Sequence, residues 1–287
     1  MGKTDLCLKL AKIFHTQIIS CDSRQFYREM NLGTAKPSPT ELAEVPHHLI
    51  NSLSIEDDYD VRKFEQDALS ILERLFQNHP VVIMTGGSGL FADAVVKGLD
   101  DIPDVAPELR PEIIREFEEK GLEWLQQEVE KVDPEYFELV DRQNPQRLIR
   151  ALEVCRGTGL KFSSFRVKKR VERSFQTIKI GLYRERDELY RRIDLRMNQM
   201  IEAGLFDEAA ALFGKRDLNA LQTVGYSEIF GYLEGRYNRE EAIRLLKRNS
   251  RRYAKRQLTW FRRDPEINWF LPTQEKEITA WVASQMA

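Results

Sequence analysis

GKTDLCLKLAKIFHTQIIS, residues 2–20, carries the first indication of how this chain folds. Its Gly-Lys-Thr triplet precedes a segment in which Leu6, Leu10 and Ile13 recur at helical spacing. QIIS, at residues 17–20, is a candidate for a short buried strand. The triplet is typical of the end of a phosphate-binding loop, where backbone N–H groups, a helix N-terminus and a lysine bind phosphate. Because short Gly-Lys-Thr strings are common, the triplet alone leaves a coincidental match equally open.

The phosphate-binding loop motif G-x-x-x-x-G-K-[ST] would begin before residue 2, so only its end is present in this sequence. The strand that ordinarily precedes such a loop, in the middle of the sheet, is also missing. We therefore expect the sequence to be a fragment or a truncated gene model. A native protein whose N-terminus is Met1 would contradict this expectation.

Further strand candidates lie at residues 81–85, 178–183 (IKIGLY) and 267–271 (INWFL). The first of these continues into GGSG (86–89) and a helix-like segment at 90–96. Alternating short strands and amphipathic helices predict an α/β fold with a parallel sheet, to which IKIGLY returns. Residues 101–171 have no strand pattern and read as helices, with Gly121 as a C-cap. We predict a core of residues 1–100 and 172–287 and a mostly helical insertion domain over 101–171.

The composition favours a soluble protein of the reducing cytosol. Of 287 residues, 42% are hydrophobic and 31% are charged, and no apolar run approaches the length of a membrane helix. The three cysteines are scattered and form no CxxC motif, which argues against a disulfide framework or a zinc site. The four histidines lie near no carboxylate cluster and are interpreted as structural.

The net charge of −2 hides one strongly basic segment. Residues 244–263 (RLLKRNSRRYAKRQLTWFRR) hold nine basic residues and no acidic one. Basic side chains at helical spacing, with aromatic residues nearby, are typical of RNA binding. A solvated helix face is the alternative, although such a face normally mixes charges of both signs. Trp260 and Phe261 themselves are more often core residues than platforms for bases.

Asp22 follows the QIIS strand, at the end where α/β folds bind ligands. Its carboxylate could accept a proton or hold a metal, and a helix cap is the alternative. The GGSG turn indicates close approach of a ligand or, equally, of a packing partner. Arg192 and Arg196 are four residues apart and suit a diphosphate clamp, or pair with Asp187 or Asp194 on the same helix.

Taken in order along the chain, these segments closely resemble the tRNA dimethylallyltransferase family. The resemblance extends from residue 2 to about residue 270. It rests on GKT (2–4), CDSRQFYREMNLGTAKPS (21–38), TGGSGLF (85–91), NPQRLIRALEV (144–154), TVGYSEI (223–229) and AKRQLTWFRRD (254–264).

The resemblance implies a P-loop NTPase-like core with a helical insertion, and a channel that dimethylallyl diphosphate and a flipped adenine enter from opposite sides. It also implies transfer of the dimethylallyl group to N6 of the adenosine at tRNA position 37, next to the anticodon, with release of diphosphate. Asp22 is then the general base, and Arg196 stabilises the leaving diphosphate. Gly2, Lys3 and Thr4 bind the diphosphate, and Thr4 also binds Mg²⁺.

The resemblance further implies a cytoplasmic, monomeric enzyme that binds the anticodon stem-loop mostly through the backbone of the RNA. Ser88 stands where threonine is usual, Asn144 stands where aspartate is common, and the missing C-terminal zinc finger fits a bacterial member. The residues carried over as tRNA contacts are Asp22, Ser23, Arg24, Gln25, Ser88, Arg110, Gln146, Arg147, Leu148, Ile149, Arg150, Gln222, Thr223, Gly225, Tyr226, Lys255, Arg256, Gln257 and Arg262.

Two other functions compete with this one. A small-molecule P-loop kinase would share the Gly-Lys-Thr triplet and Asp22, but it would not need the basic segment 244–263. Phosphoryl transfer without any RNA would favour a kinase. A non-catalytic RNA-binding module would bind tRNA without affinity for diphosphate.

Overall fold

A computed structural model describes residues 2–167 and 171–286. Met1, where the expected truncation falls, and residues 168–170 of the predicted insertion lie outside the described residues. The Cα packing divides the chain into two compact units. The core unit comprises Met1–Val96 and Arg173–Ala287, and the helical unit comprises Lys97–Glu172. We describe each unit by itself.

The first part of the core unit alternates helices with parallel strands. Strand β1 lies between β2 and β3, and Ile19 is in register with both His48 and Met84. The elements are α1 (Lys3–Ile13), β1 (Ile18–Ser20), α2 (Pro39–Glu44), β2 (His47–His48), α3 (Val61–Leu75), β3 (Ile83–Thr85) and α4 (Gly89–Lys97).

Local sequence explains where these helices begin. Ser38 and Glu41 form a reciprocal capping box at the start of α2, since the Ser38 hydroxyl accepts from Glu41 N and the Glu41 carboxylate accepts from Ser38 N. Asp60 caps α3 by accepting from Arg62 N and Lys63 N, each at 2.9 Å. Strand β1 is buried along its whole length, as expected for a strand covered on both faces.

The helical unit contains α5 (Leu109–Val132), α6 (Pro134–Leu139), α7 (Pro145–Thr158) and α8 (Phe162–Phe165). Its core includes the fully buried Leu125 and Leu152, each of which contributes about 1.5–3 kcal/mol of hydrophobic free energy. Helix α5 breaks at Gly121, whose φ of 82° ends one helical stretch and starts the next. The buried Asp133 caps α6, where its carboxylate accepts from Tyr136 N and Ser163 N.

The chain then completes the core unit with β4 (Ile180–Leu182), α9 (Arg186–Glu202), α10 (Leu205–Leu212), α11 (Ser227–Leu233), α12 (Arg239–Phe261), β5 (Asn268–Phe270) and α13 (Glu275–Met286). Two 3₁₀ turns, Phe213–Lys215 and Asn219–Leu221, lie between α10 and α11. Asn238 caps α12 by accepting from Glu241 N at 2.9 Å.

The expected mixed α/β fold with parallel strands is confirmed, but the prediction that IKIGLY returns to the first sheet is wrong. Within the described residues β4 pairs in parallel with β5, and the two form a separate small sheet. Helix α1 explains this arrangement, because Leu6 and Leu10 pack against Leu182 of β4 and also against Ile83 of β3. Burial against α1, rather than hydrogen bonding of strand to strand, therefore connects the two sheets.

Candidate functional site

The start of α1 lines a recess through Lys3 and Thr4. Gly2 precedes the helix in the left-handed conformation (φ 91°), and no side chain caps this end in the described structure. The Lys3 ammonium lies beside it and donates to Gly86 O at 3.0 Å. Free N–H groups at a helix N-terminus and an adjacent lysine together attract a phosphate.

One recess in the core unit collects most of the residues predicted for catalysis and diphosphate binding. Lys3, Thr4, Asp22 and Gln25 line it, and so does Gly86 of the glycine-rich turn. Its other lining residues are not among the predicted site residues: Cys7, Ser20, Pro37, His47, Ile50 and Thr85. His47, interpreted from sequence as structural, thus faces the recess, and its Nδ1 lies 2.7 Å from Val45 O.

Asp22 is held at the end of β1 by its own turn. Its Oδ1 accepts from Arg24 N at 3.0 Å within a turn, and because no helix begins there, the helix-cap alternative is wrong. Burial raises the pKa of this carboxyl above its ordinary value, although the Arg24 N–H and the Lys3 charge oppose the rise. A carboxylate with a raised pKa is a better proton acceptor than an exposed aspartate.

The turn GGSG (86–89) packs closely against α12. A Cβ at Gly87 would lie 2.1 Å from Gln257 Nε2, and a Cβ at Gly89 would lie 2.2 Å from Trp260 Cδ1. The packing alternative is therefore realised at both glycines, because a side chain there would collide with α12. The same turn places Ser88 Oγ 2.9 Å from Ser23 N, which connects the turns that follow β1 and β3.

Tyr253 on α12 belongs to this neighbourhood and was not predicted. Its side chain hydrogen-bonds with Gln257 and Ser88, and burial and the nearby Asp22 carboxylate raise the pKa of its phenol. Its spacing of four residues from Gln257 on a helix was the only sequence signal that could have indicated it.

Arg196 is not among the residues that line the recess. Its side chain is solvent-exposed and forms no ion pair in the described part of the chain. Desolvation by surrounding protein atoms, and then the neighbouring Arg192, lower the pKa of its guanidinium. Asp194, one of the alternative partners expected for this arginine pair, instead binds Arg251 of α12, with Nη1 2.6 Å from Oδ1 and 2.7 Å from Oδ2.

The basic segment is largely a surface of α12. Arg252, Lys255, Arg256 and Arg262 are exposed and form no ion pair with any described residue. Arg251 binds Asp194, and the only other pairing seen in the described segment joins Arg244 to Glu241 on the same helix. The segment thus keeps most of its positive charge, whereas two of its arginines are neutralised by acidic side chains outside it.

Tyr226 is fully buried, and the Glu208 carboxylate holds its hydroxyl at 2.6 Å. The same carboxylate accepts backbone N–H groups from the turn before α2, namely Asn31, Leu32 and Gly33. Any contact of Tyr226 with a ligand must therefore be made by its backbone. The nearby Gly225 N donates to Glu228 at 2.9 Å.

In the helical unit, the residues predicted for tRNA binding surround one acidic side chain. Arg110 Nη1 and Arg150 Nη1 lie 3.0 Å and 3.2 Å from Oε2 of the buried Glu153, which was not predicted. Arg110 Nη2 also donates to Gln146 at 3.0 Å. The neighbouring Arg147 is exposed, whereas Leu148 and Ile149 are buried in the core of this unit.

The oxygen atoms of the recess suit a divalent cation that keeps water and phosphate ligands. The Thr4 hydroxyl and the Asp22 carboxylate both line it, and Mg²⁺ binds one or two such groups together with substrate phosphates. No group of three His, Cys, Asp or Glu side chains that could hold a metal ion gathers in the described ranges. None of the helices described is both long and apolar enough to cross a membrane.

Comparisons with known proteins agree along the whole chain. Residues 25–264 match the family described as IPP transferase. A protein of Cytophaga hutchinsonii named tRNA dimethylallyltransferase is 50% identical over 285 residues, which cover 99% of this chain and 94% of that protein. A protein of Bacteroides thetaiotaomicron named tRNA dimethylallyltransferase 1 is 49% identical over 285 residues. These residues cover 99% of this chain and 92% of that protein.

Solved structures give the same result. The tRNA isopentenylpyrophosphate transferase of Bacillus halodurans is 36% identical with a TM-score of 0.72, over 99% of this chain and 93% of that one. The structure of a eukaryotic dimethylallyltransferase acting on tRNA has a TM-score of 0.78 and is 22% identical. The match covers 99% of this chain and 74% of that one, and at this identity it supports the fold alone. The chain belongs to the IPP transferase family.

Proposed function

We propose that this chain transfers the dimethylallyl group of dimethylallyl diphosphate to N6 of the adenosine at position 37 of tRNA. The products are N6-dimethylallyladenosine and diphosphate. One observation carries the proposal: in a member of this family, a single recess joins a phosphate-binding helix start (Lys3, Thr4) to a half-buried carboxylate (Asp22). These two ends match the two things that the reaction requires, which are a site for the leaving diphosphate and an acceptor for the proton of N6.

Asp22 acts as the general base. The adenine N6 forms a bond to the allylic carbon, the bond from that carbon to the diphosphate oxygen breaks, and the N6 proton passes to the Asp22 carboxylate. An amino group conjugated with a purine is a weak nucleophile, so proton removal accelerates the attack. The raised pKa of Asp22 supports this role, because a carboxylate with a higher pKa binds the transferred proton more tightly.

Gly2, Lys3 and Thr4 bind the diphosphate. The N–H groups at the start of α1 and the Lys3 ammonium would bind its oxygens, and Lys3 would exchange its contact with Gly86 O for them. Mg²⁺, held by Thr4 and the diphosphate, would neutralise charge on the leaving group. The guanidinium of Arg196, which is not paired with any described acidic side chain, would stabilise the same oxygens as their charge grows.

The tRNA partner would be its anticodon stem-loop. The exposed basic side chains Lys255 and Arg256 of α12, and Arg262 directly after it, are suited to phosphates, and Gln257 lies beside the Ser88 turn. Asp22 to Gln25, Ser88 and residues 222–226 are the proposed contacts on the rest of the core unit. Arg110 and Gln146 to Arg150 are those of the helical unit, where Leu148 and Ile149 can contribute only backbone. We place the enzyme in the cytoplasm, as a monomer.

Nucleoside analysis by mass spectrometry tests the function directly. Unmodified tRNA with adenosine at position 37 is incubated with the protein, Mg²⁺ and dimethylallyl diphosphate, then digested. Dimethylallyladenosine is the expected product, and a matched tRNA with guanosine at position 37 should give none. Retained tRNA binding without product or diphosphate affinity would contradict the proposal in favour of an RNA-binding module. Phosphoryl transfer without RNA would favour a kinase.

A further inference from the structure

The lining of the recess contains two chemically different kinds of side chain. Lys3, Thr4 and Asp22 supply charge and hydrogen bonds, whereas Pro37 and Ile50 supply hydrocarbon surface. An allylic diphosphate divides in the same way, into a charged diphosphate and a branched hydrocarbon. Because the charged and hydrogen-bonding groups suit the diphosphate, the hydrocarbon would be directed toward Pro37 and Ile50.

Pro37 and Ile50 are free to serve a ligand because they do not build the core. Both are half-buried, and neither joins a hydrophobic cluster in the portion of the chain that the structure describes. Ile50 lies between Leu49 (φ 58°) and Asn51 (φ 53°), two non-glycine residues in the left-handed conformation. Such backbone costs about 1–3 kcal/mol per residue and persists where the surroundings enforce it. The backbone on either side of Ile50 is therefore held in an unfavourable conformation by the surrounding structure.

Lys36 provides that enforcement. Its ammonium donates to Asn51 Oδ1 at 2.6 Å, to Tyr27 O at 2.5 Å and to Asn31 Oδ1 at 3.2 Å. Asn51 N in turn donates to Gln25 O at 3.1 Å. These bonds join the segment that carries Pro37 to the segment that carries Ile50, and they hold both beside Gln25 of the recess. The apolar wall is therefore already formed without a ligand.

We propose that Pro37 and Ile50 form the wall that receives the prenyl group, and that Ile50 limits the length of the prenyl chain that the enzyme accepts. This inference rests on the proposed function. A side chain that blocks the recess beyond the dimethylallyl group would exclude a ten-carbon geranyl group, because a packed wall cannot admit five further carbons without displacing protein atoms.

The test compares dimethylallyl and geranyl diphosphate as donors for the protein with tRNA. Ile50→Ala opens the wall and should raise the ratio of geranyl to dimethylallyl kcat/KM at least tenfold. Ile50→Phe narrows it and should lower kcat/KM for dimethylallyl diphosphate at least tenfold, since one methylene in an apolar pocket changes this quantity about 10–200-fold. Ile71, a half-buried isoleucine on α3, provides matched controls in Ile71→Ala and Ile71→Phe.

A ratio for Ile50→Ala no higher than that for Ile71→Ala would overturn the proposal. Binding of tRNA, measured by filter retention, establishes that each variant is folded; if Ile50→Ala does not bind, Ile50→Val decides by the same criterion. The wild-type protein separates the two levels of inference. If it transfers no dimethylallyl group, the proposed function fails; if it does and the ratio is unchanged in the variants, only the role of Ile50 fails.

Discussion

Arg251 Nη1 lies 2.6 Å from Asp194 Oδ1, which ties α12 to α9, whereas the next residue, Arg252, is exposed and forms no ion pair with a described residue. Two adjacent arginines of the basic segment therefore have different surroundings. One is neutralised within the protein, and the other keeps its charge for a ligand. This difference allows an experiment to distinguish a structural arginine, Arg251, from an arginine proposed to bind tRNA, Arg252.

Arg252→Ala should weaken tRNA binding and reduce the slope of log Kd against log salt by about 0.9, as expected for one lost phosphate contact. The free energy of unfolding should not change. Arg251→Ala is the matched control: it should lower the free energy of unfolding by up to about 1 kcal/mol, since its ion pair is partly exposed, and alter the slope less. Titrations of tRNA at several salt concentrations measure the slopes. Equal slopes for Arg252→Ala and the wild type would show that this face does not bind phosphate.

Asp22→Asn should lower kcat about 10²–10⁴-fold, the usual contribution of a general base, while the Kd for tRNA stays nearly constant. In the wild-type enzyme kcat/KM should fall as the pH falls through the raised pKa of Asp22, at a higher pH than for an ordinary aspartate. Rate–pH profiles of both proteins measure this. If kcat/KM of Asp22→Asn falls at low pH in the same way as that of the wild type, the titrating group is not Asp22.

The same substitution has a predictable effect on stability. Because the pKa of Asp22 is higher in the folded protein than in the unfolded chain, ionisation of Asp22 disfavours folding above that pKa. Asp22→Asn should therefore keep or increase the free energy of unfolding at neutral pH, as urea denaturation would measure. A clear decrease would mean that the carboxylate is a structural cap more than a strained catalytic group.

Lys3→Met should raise the KM for dimethylallyl diphosphate about 10–150-fold, which corresponds to loss of one charge-assisted hydrogen bond. Lys9→Met lies on the same helix, where Lys9 pairs with Glu275 at 2.9 Å on the surface, and should leave this KM unchanged. Steady-state kinetics at saturating tRNA compare the two. A similar KM for both variants would remove Lys3 from the diphosphate site.

Glu208→Ala should lower the free energy of unfolding by about 2 kcal/mol, because it leaves three backbone N–H groups and the Tyr226 hydroxyl without their acceptor. Glu202→Ala, an exposed acidic residue on α9, should change it little. Urea denaturation of both variants makes the comparison. Equal stability of the two variants would indicate that the turn at Asn31–Gly33 holds its shape without Glu208.

Much of the fold was predictable because it depends on local pattern. The apolar spacing of residues 6–13 predicts α1, Asp60 and Asn238 are cap residues of the favoured type, and Gly121 interrupts α5 at the residue expected. Strand β2 (His47–His48) was not predicted, because two histidines have no apolar run or alternation. The pairing of β4 with β5 was not predicted either. It depends on contacts between α1 and residues far away in the chain, and the spacing of apolar residues within one segment gives no information about such contacts.

The sequence by itself determined the order of the motifs, the position of Asp22 at the end of a strand and the charge of α12, because each is a property of neighbouring residues. Only the tertiary structure decided which side chains meet: Arg251 with Asp194, Tyr226 with Glu208, and Tyr253 with Ser88. It also decided that Ile149 and Tyr226 are buried. The physical reason is that hydrogen bonds and close packing act over a few ångströms in space, whereas these partners are separated by up to about 165 residues along the chain.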